Sequence, residues 1–183
     1  EKENIQAVLG IIDSAACPLI LDATALQPAT LKKIKGKTAV LTPHLGELER
    51  MGLTKKDLTP IARELGIVIV LKSHQDTIVS SEGKIRIIAG GNAGLTKGGT
   101  GDALAGLIAG LIAQKMDPFD ASILASQTIK KAGEILYKSK GYAADFIGKE
   151  TKEGTDCFKI KFTKKPVTID GEKTDDISYY YFD

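Results

Sequence analysis

The run Ile67-Val68-Ile69-Val70-Leu71 carries no polar residue at either alternate set of positions. A strand with one face in water alternates apolar and polar side chains, so this run is expected to be buried on both faces, as in parallel sheets covered by helices. Two shorter runs repeat the pattern: Leu19-Ile20-Leu21, closing on Asp22, and Thr38-Ala39-Val40-Leu41, leading into Pro43. Helical spacing fills the intervals. Ile5, Val8, Leu9 and Ile12 recur on one helix face, and Pro18 ends that helix. Ala29 to Lys35, Leu45 to Met51 and Asp57 to Leu65 read as further helices. Thr77 to Ser80 and Lys84 to Ile88 flank the turn Ser81-Glu82-Gly83 as a hairpin, and Asp102 to Lys115 and Pro118 to Lys138 form two long helices. Together these elements predict an α/β sandwich with a mostly parallel central sheet flanked by helices.

Several function classes are excluded by composition. The chain is 43% hydrophobic and 26% charged, as globular proteins are, and its formal net charge of +2 includes no basic run suited to nucleic acid. The longest apolar stretch, Ala103 to Ala113, is too short to cross a bilayer, and no signal-peptide pattern stands out. Cys17 and Cys157 lack metal-ligand spacing and suggest no disulfide framework. A reduced, cytoplasmic enzyme or binding domain is expected, with no membrane and no nucleic acid as partner. Composition shifts near Gly148. Residues 1–147 read as the α/β domain, and residues 148–183 as a charged, aromatic-rich β appendage with strand-like pieces at Phe158 to Phe162, Val167 to Ile169 and Ser178 to Phe182.

The polar residues of the main domain collect at strand ends: Asp22 after one strand, His44 after Thr42-Pro43, and Lys72 after the Ile67 run. In open α/β sheets the ligand crevice lies outside these carboxyl ends. Taken singly, such a His is more often structural and such a Lys merely solvated. Gly98-Gly99-Thr100-Gly101-Asp102 says more, because it stands directly before an apolar helix. Glycine permits positive φ and close backbone approach, and a helix N-terminus attracts anions through its unpaired N–H groups and dipole. The bland role of Asp102 is to cap the helix. Its functional role is a base beside an anion hole, deprotonating a hydroxyl while amides stabilise a transferring phosphoryl group. The Gly-Lys-Ser/Thr ending of a Walker loop is absent. Phosphoryl-linked chemistry is the expectation.

Thr96 to Gly106, reading Thr-Lys-Gly-Gly-Thr-Gly-Asp-Ala-Leu-Ala-Gly, resembles the signature of the ADP/ATP-dependent NAD(P)H-hydrate dehydratases, relatives of ribokinase-type kinases, with the archaeal branch most alike. Leu21-Asp22-Ala23 with Ala25-Leu26 resembles that family's Asp-Ala-Asp-Ala-Leu strand end, and Thr42-Pro43-His44 with Gly46-Glu47 its Thr-Pro-His-Pro-Gly-Glu motif. Leu71-Lys72 with Asp76 is similar to its Lys-Gly segment, and Asn92 with Gly94 to its Asn-Pro-Gly turn. The resemblance runs from Glu1 to about Ile147 and implies a ribokinase-like fold and a repair lyase. Such an enzyme removes water from hydrated NADH or NADPH, with ADP or ATP as phosphate donor; Mg2+ is expected on general grounds, since it neutralises charge between phosphates. The resemblance further implies Asp102 as base and substrate contact, with His44, Asp22 and Asn92 also at the substrate. The amides of Gly99, Thr100 and Gly101 would hold the phosphoryl oxygens, while Gly98 and Gly101, with Lys72, Ser73, His74, Gln75 and Asp76, would bind the nucleotide. No motif locates metal ligands.

Several positions depart from the pattern. The family's second Asp is Thr24 here and its Asn is Gln27, while three loop positions are Leu45, Ser73 and Ala93. A carboxylate near the substrate is thereby put in doubt. The family's N-terminal portion is expected to be missing, so the appendage, a second copy or a complementing chain would cover the sheet edge and complete the site, or the sequence is a fragment. Two other classes stay open: a ribokinase-like kinase acting on a thiamin-precursor alcohol, which would leave a stable phosphoester, and a non-catalytic nucleotide-binding module, which would release no phosphate.

Overall fold

The computed structural model describes residues 2–92, 95, 98–140, 143–152, 155–169 and 172–182. The chain divides into two compact units, Glu1–Lys131 and Ala132–Asp183.

The first unit contains α1 (Lys2–Ser14), β1 (Leu19–Leu21), α2 (Pro28–Lys33), β2 (Ala39–Leu41), α3 (Leu45–Arg50), α4 (Leu58–Leu65), β3 (Val68–Leu71), β4 (Asp76–Val79), β5 (Ile85–Ile88), α5 (Thr100–Ala113) and the start of α6 (Pro118–Lys140). The sheet runs in the order β1-β2-β3-β4-β5. Strands β1, β2 and β3 are parallel, while β4 pairs antiparallel with both β3 and β5, so only β4 opposes the common direction. Register places Leu21 beside Leu41 and Leu41 beside Ile69, which aligns one apolar row across the sheet.

The unbroken apolar runs are explained by two cores, one on each face. Leu41, Ile69, Leu71 and Val79 pack with Ile12, Ile34, Leu48 and Leu65 on one side. Val40, Val68, Val70 and Ile78 pack with Leu104, Ile108, Ile112 and Ala121 on the other. Successive residues of β3 therefore enter opposite cores, and a polar residue at either parity would be stranded. Each fully buried aliphatic side chain contributes about 1.5–3 kcal/mol. Helix α5 turns Leu104, Ile108 and Ile112 to its core at intervals of four, and its C-terminus passes into Gln114.

In the second unit, α6 is followed by β6 (Ala143–Lys152), β7 (Thr155–Ile169) and β8 (Glu172–Phe182), an antiparallel meander in the order β6-β7-β8. The strand-rich character expected of the tail holds, but its boundaries differ. Strand β6 begins well before the expected first strand, and the unit boundary falls inside α6 rather than at residue 148. The two expected pieces around residues 158–169 are one strand, whose register shifts between Lys164 and Val167. Pro166 lies within that shift, where a missing N–H interrupts the ladder without ending it.

Candidate active site

Three strand ends converge on the first turn of α5. Backbone bonds extend the sheet just beyond its strands and so set where each side chain leaves it. The Thr42 N–H and hydroxyl both donate to Leu21 O, at 3.0 and 3.2 Å. Lys72 N–H donates to Pro43 O at 2.7 Å, and His44 and Lys72 form a parallel bridge. Lys72 Nζ then donates to Asp22 Oδ1 at 2.6 Å, and stands 3.6 Å from Glu47 Oε2. The backbone after Asp22 is strained, since Ala23 has φ 52, a region that residues with a β-carbon rarely adopt.

Glu47 is 5% exposed and closes a reciprocal cap with His44 at the start of α3. His44 N–H donates to Glu47 Oε2 at 2.8 Å, and Glu47 N–H donates to His44 Nδ1 at 3.1 Å. With Nδ1 accepting, a neutral imidazole carries its proton on Nε2, which lies 3.5 Å from Glu47 Oε1. One ammonium thus bridges two carboxylates, and the second carboxylate orients the histidine.

Helix α5 meets this cluster end-on. Gly99 is its N-cap, in the left-handed region at φ 91 and ψ −14. The Thr100 hydroxyl donates to Leu95 O at 2.8 Å, tying the helix start to the preceding segment. A β-carbon built on Gly101 would stand 3.4 Å from Asp22 Oδ2 and 3.5 Å from Lys72 Nζ, so the first turn lies directly against the ion pair. Asp102 follows in that same turn and is exposed. Because Gly99 is the cap, the capping role weighed for Asp102 does not apply. Gly99 uses the positive φ that glycine permits, whereas Gly101 is helical.

A family model described as NAD(P)H-hydrate dehydratase matches residues 1–152. The chain belongs to this family. The ADP-dependent (S)-NAD(P)H-hydrate dehydratase of Bacillus subtilis is 39% identical over 127 residues, 64% of this chain and 46% of the relative. The crystal structure of the ADP/ATP-dependent NAD(P)H-hydrate dehydratase from Bacillus subtilis, co-crystallized with ATP/Mg2+, superposes with a TM-score of 0.63 at 34% identity, covering 74% of this chain and 52% of that one. A ribokinase-like superfamily protein from Enterococcus faecalis V583 gives a TM-score of 0.64 at 30% identity, covering 76% of this chain and 52% of that one. The fold is the expected ribokinase-like α/β architecture. The chain spans about half the length of the relatives it matches.

In this member of the NAD(P)H-hydrate dehydratase family, Asp22, His44, Lys72, Gly101 and Asp102 come together at one end of the sheet. Gly98 and Gly99 are exposed at the helix start, with open space where side chains would be. Ser73, His74 and Gln75 are exposed on the β3–β4 loop, whereas Asp76 is turned inward. Asn92 lies in the segment before α5, its carbonyl accepting Leu95 N–H at 3.0 Å. Ala93, Gly94, Thr96 and Lys97 lie outside the described residues. Sequence reasoning assigned no role to Glu47, because a glutamate in a first helical turn reads as an ordinary capping partner. It likewise missed Gly91, where a β-carbon would stand 2.6 Å from His74 O, a backbone atom with little freedom to retreat. Gly91→Ala is therefore expected to displace the β3–β4 loop and cost about 1–3 kcal/mol, measurable by thermal or urea unfolding.

Proposed function

We propose that this end of the sheet carries out nucleotide-dependent dehydration of hydrated NADH or NADPH. One observation carries the reading: the glycine-capped first turn of α5, bearing an exposed Asp102, lies against the Asp22–Lys72 pair at the strand ends. Asp102 accepts the proton of the substrate's ring hydroxyl. The freed oxygen bonds to the terminal phosphorus of ADP or ATP, and the bond from that phosphorus to the departing nucleotide breaks. First-turn amides of α5, unpaired within the helix, hold the charge on the transferring phosphoryl group. Loss of phosphate and a ring proton restores the reduced dinucleotide. His44 and Asp22 orient the substrate, and Asn92 contributes from the turn before α5. Lys72 supplies positive charge between the two carboxylates and the phosphate-facing turn, and residues 73–75 line the nucleotide.

Nucleotide phosphates suit the open glycine cradle and the helix terminus. Mg2+ is expected with the nucleotide, and among the described residues no group of three or more His, Cys, Asp or Glu could hold a metal ion. When bound, that ion neutralises charge between the phosphates. Among the described residues no helix is long and apolar enough to cross a membrane. The cytoplasm, with its nucleotide and dinucleotide pools, is the proposed compartment.

The test is recovery of reduced-nicotinamide absorbance from the hydrate with ADP and ATP compared, and phosphate release measured in parallel. Equal release of phosphate and reduced dinucleotide is the expected result; a stable phosphoester would make the protein a kinase, and tight nucleotide binding without phosphate release a binding module. The two glycines give a sharper check of the cradle. Gly99→Ala forces a β-carbon into left-handed backbone and is expected to lose about 1–2 kcal/mol of stability together with nucleotide affinity. Gly101→Ala meets its neighbours at ordinary contact distance, so its melting temperature should hold while nucleotide affinity falls. Unchanged affinity in a nucleotide titration of Gly101→Ala would remove close backbone approach at that position from the mechanism.

A further inference from the structure

A buried lysine outside the strand-end cluster holds the β3–β4 loop by its backbone. Lys130 on α6 and Asp76 at the start of β4 are 5% and 6% exposed. Lys130 Nζ donates to the carbonyls of Ser73 and His74 at 3.0 and 3.1 Å, and lies 3.2 Å from Asp76 Oδ1. The same Oδ1 accepts Ser73 N–H at 2.9 Å, and Oδ2 accepts the Ser126 hydroxyl at 2.6 Å. An ammonium has three protons, and these three oxygens account for all of them. Gly91 N–H also donates to His74 O, at 3.2 Å.

A buried ion pair adds little net stability compared with an apolar pair of the same volume. What distinguishes this one is its grip on two loop carbonyls. The loop's own side chains, Ser73, His74 and Gln75, are left exposed, so the loop presents a fixed backbone with adaptable contacts. A loop held in shape before a ligand arrives avoids the entropy cost of ordering on binding. We propose that Lys130 is a positioning residue for the nucleotide: through the carbonyls of Ser73 and His74 it shapes the β3–β4 loop against which the phosphate donor lies. This rests on the reading of that loop as nucleotide-lining.

Two variants of the full 183-residue chain test it. Lys130→Met combined with Asp76→Asn removes both charges, so neither is left buried without its partner. Ser126→Ala loosens Asp76 without changing any charge. ADP and ATP affinities are measured by calorimetry, loop order by amide hydrogen exchange at Ser73 and Gly91, and folding by thermal melt. Expected are faster exchange and an affinity loss of about tenfold in the folded double variant, with a smaller loss in Ser126→Ala. Unchanged nucleotide affinity in the folded double variant overturns the proposal while the nucleotide reading stands. If the double variant does not fold, unchanged affinity in Ser126→Ala overturns it instead. A parent chain that binds neither nucleotide overturns the nucleotide reading, and the positioning role falls with it.

Discussion

Asp102→Asn is expected to lower turnover by about 10²–10⁴-fold while leaving the melting temperature and nucleotide affinity essentially unchanged. Asn keeps the size and planar shape of the side chain but cannot accept a proton at neutral pH. The residue is exposed in the first turn of α5, and the cap of that helix is Gly99, so no buried contact and no capping bond is removed with the carboxylate. Loss of a negative charge near a helix N-terminus costs at most about 0.3–1 kcal/mol at an exposed position. A large kinetic effect beside a small thermal one therefore identifies the base. The assay is phosphate release and dinucleotide recovery beside a thermal melt; near-normal turnover would transfer the proton-accepting role to another group.

Lys130→Met alone should be the most destabilising of the single substitutions considered, by about 3–5 kcal/mol. Methionine fills a volume similar to the lysine stem, so packing is largely kept. What is lost is the ammonium, leaving Asp76 as a buried carboxylate with only Ser126 and the Ser73 amide as partners, and removing one donor from each of two loop carbonyls, of which His74 O keeps Gly91 N–H. Against a typical total stability of about 5–15 kcal/mol, that is a large fraction. The measurement is equilibrium urea unfolding with matched m-values. Adding Asp76→Asn should recover part of the loss, because the uncompensated charge is then gone. A single variant as stable as the parent would mean that water or a shifted side chain replaces the ammonium.

Much of this fold can be read from local sequence. The double burial of β3 is written in Ile67 to Leu71, because a strand alternates faces residue by residue and only a sheet covered on both sides accepts apolar side chains at every position. Asp22, His44 and Lys72 were legible as strand-end residues for a related reason: parallel strands share a direction, so the residues that end their apolar runs arrive at the same edge. Gly98 to Asp102 could be read as an anion-binding helix start, since glycine freedom and helix polarity are properties of a few consecutive residues. The family motifs added the identities of the ligands expected there.

Only the tertiary structure decided which of these residues touch. Lys72 chooses Asp22, fifty positions away in the chain, and leaves Glu47 as its second neighbour; nothing local distinguishes that outcome from a solvated lysine. The capping role passed from Asp102 to Gly99 because the helix begins three residues earlier than an Asp102 cap would place it, at a point set by Gly99's left-handed backbone. Lys130 reads in sequence as one more lysine in the pair Lys130-Lys131 on an amphipathic helix, and Asp76 as the polar start of a hairpin strand. Their meeting depends on how α6 is placed across the sheet. Periodicity and propensity act within a turn or a strand, whereas a buried charge is stabilised only by partners that packing delivers from elsewhere in the chain.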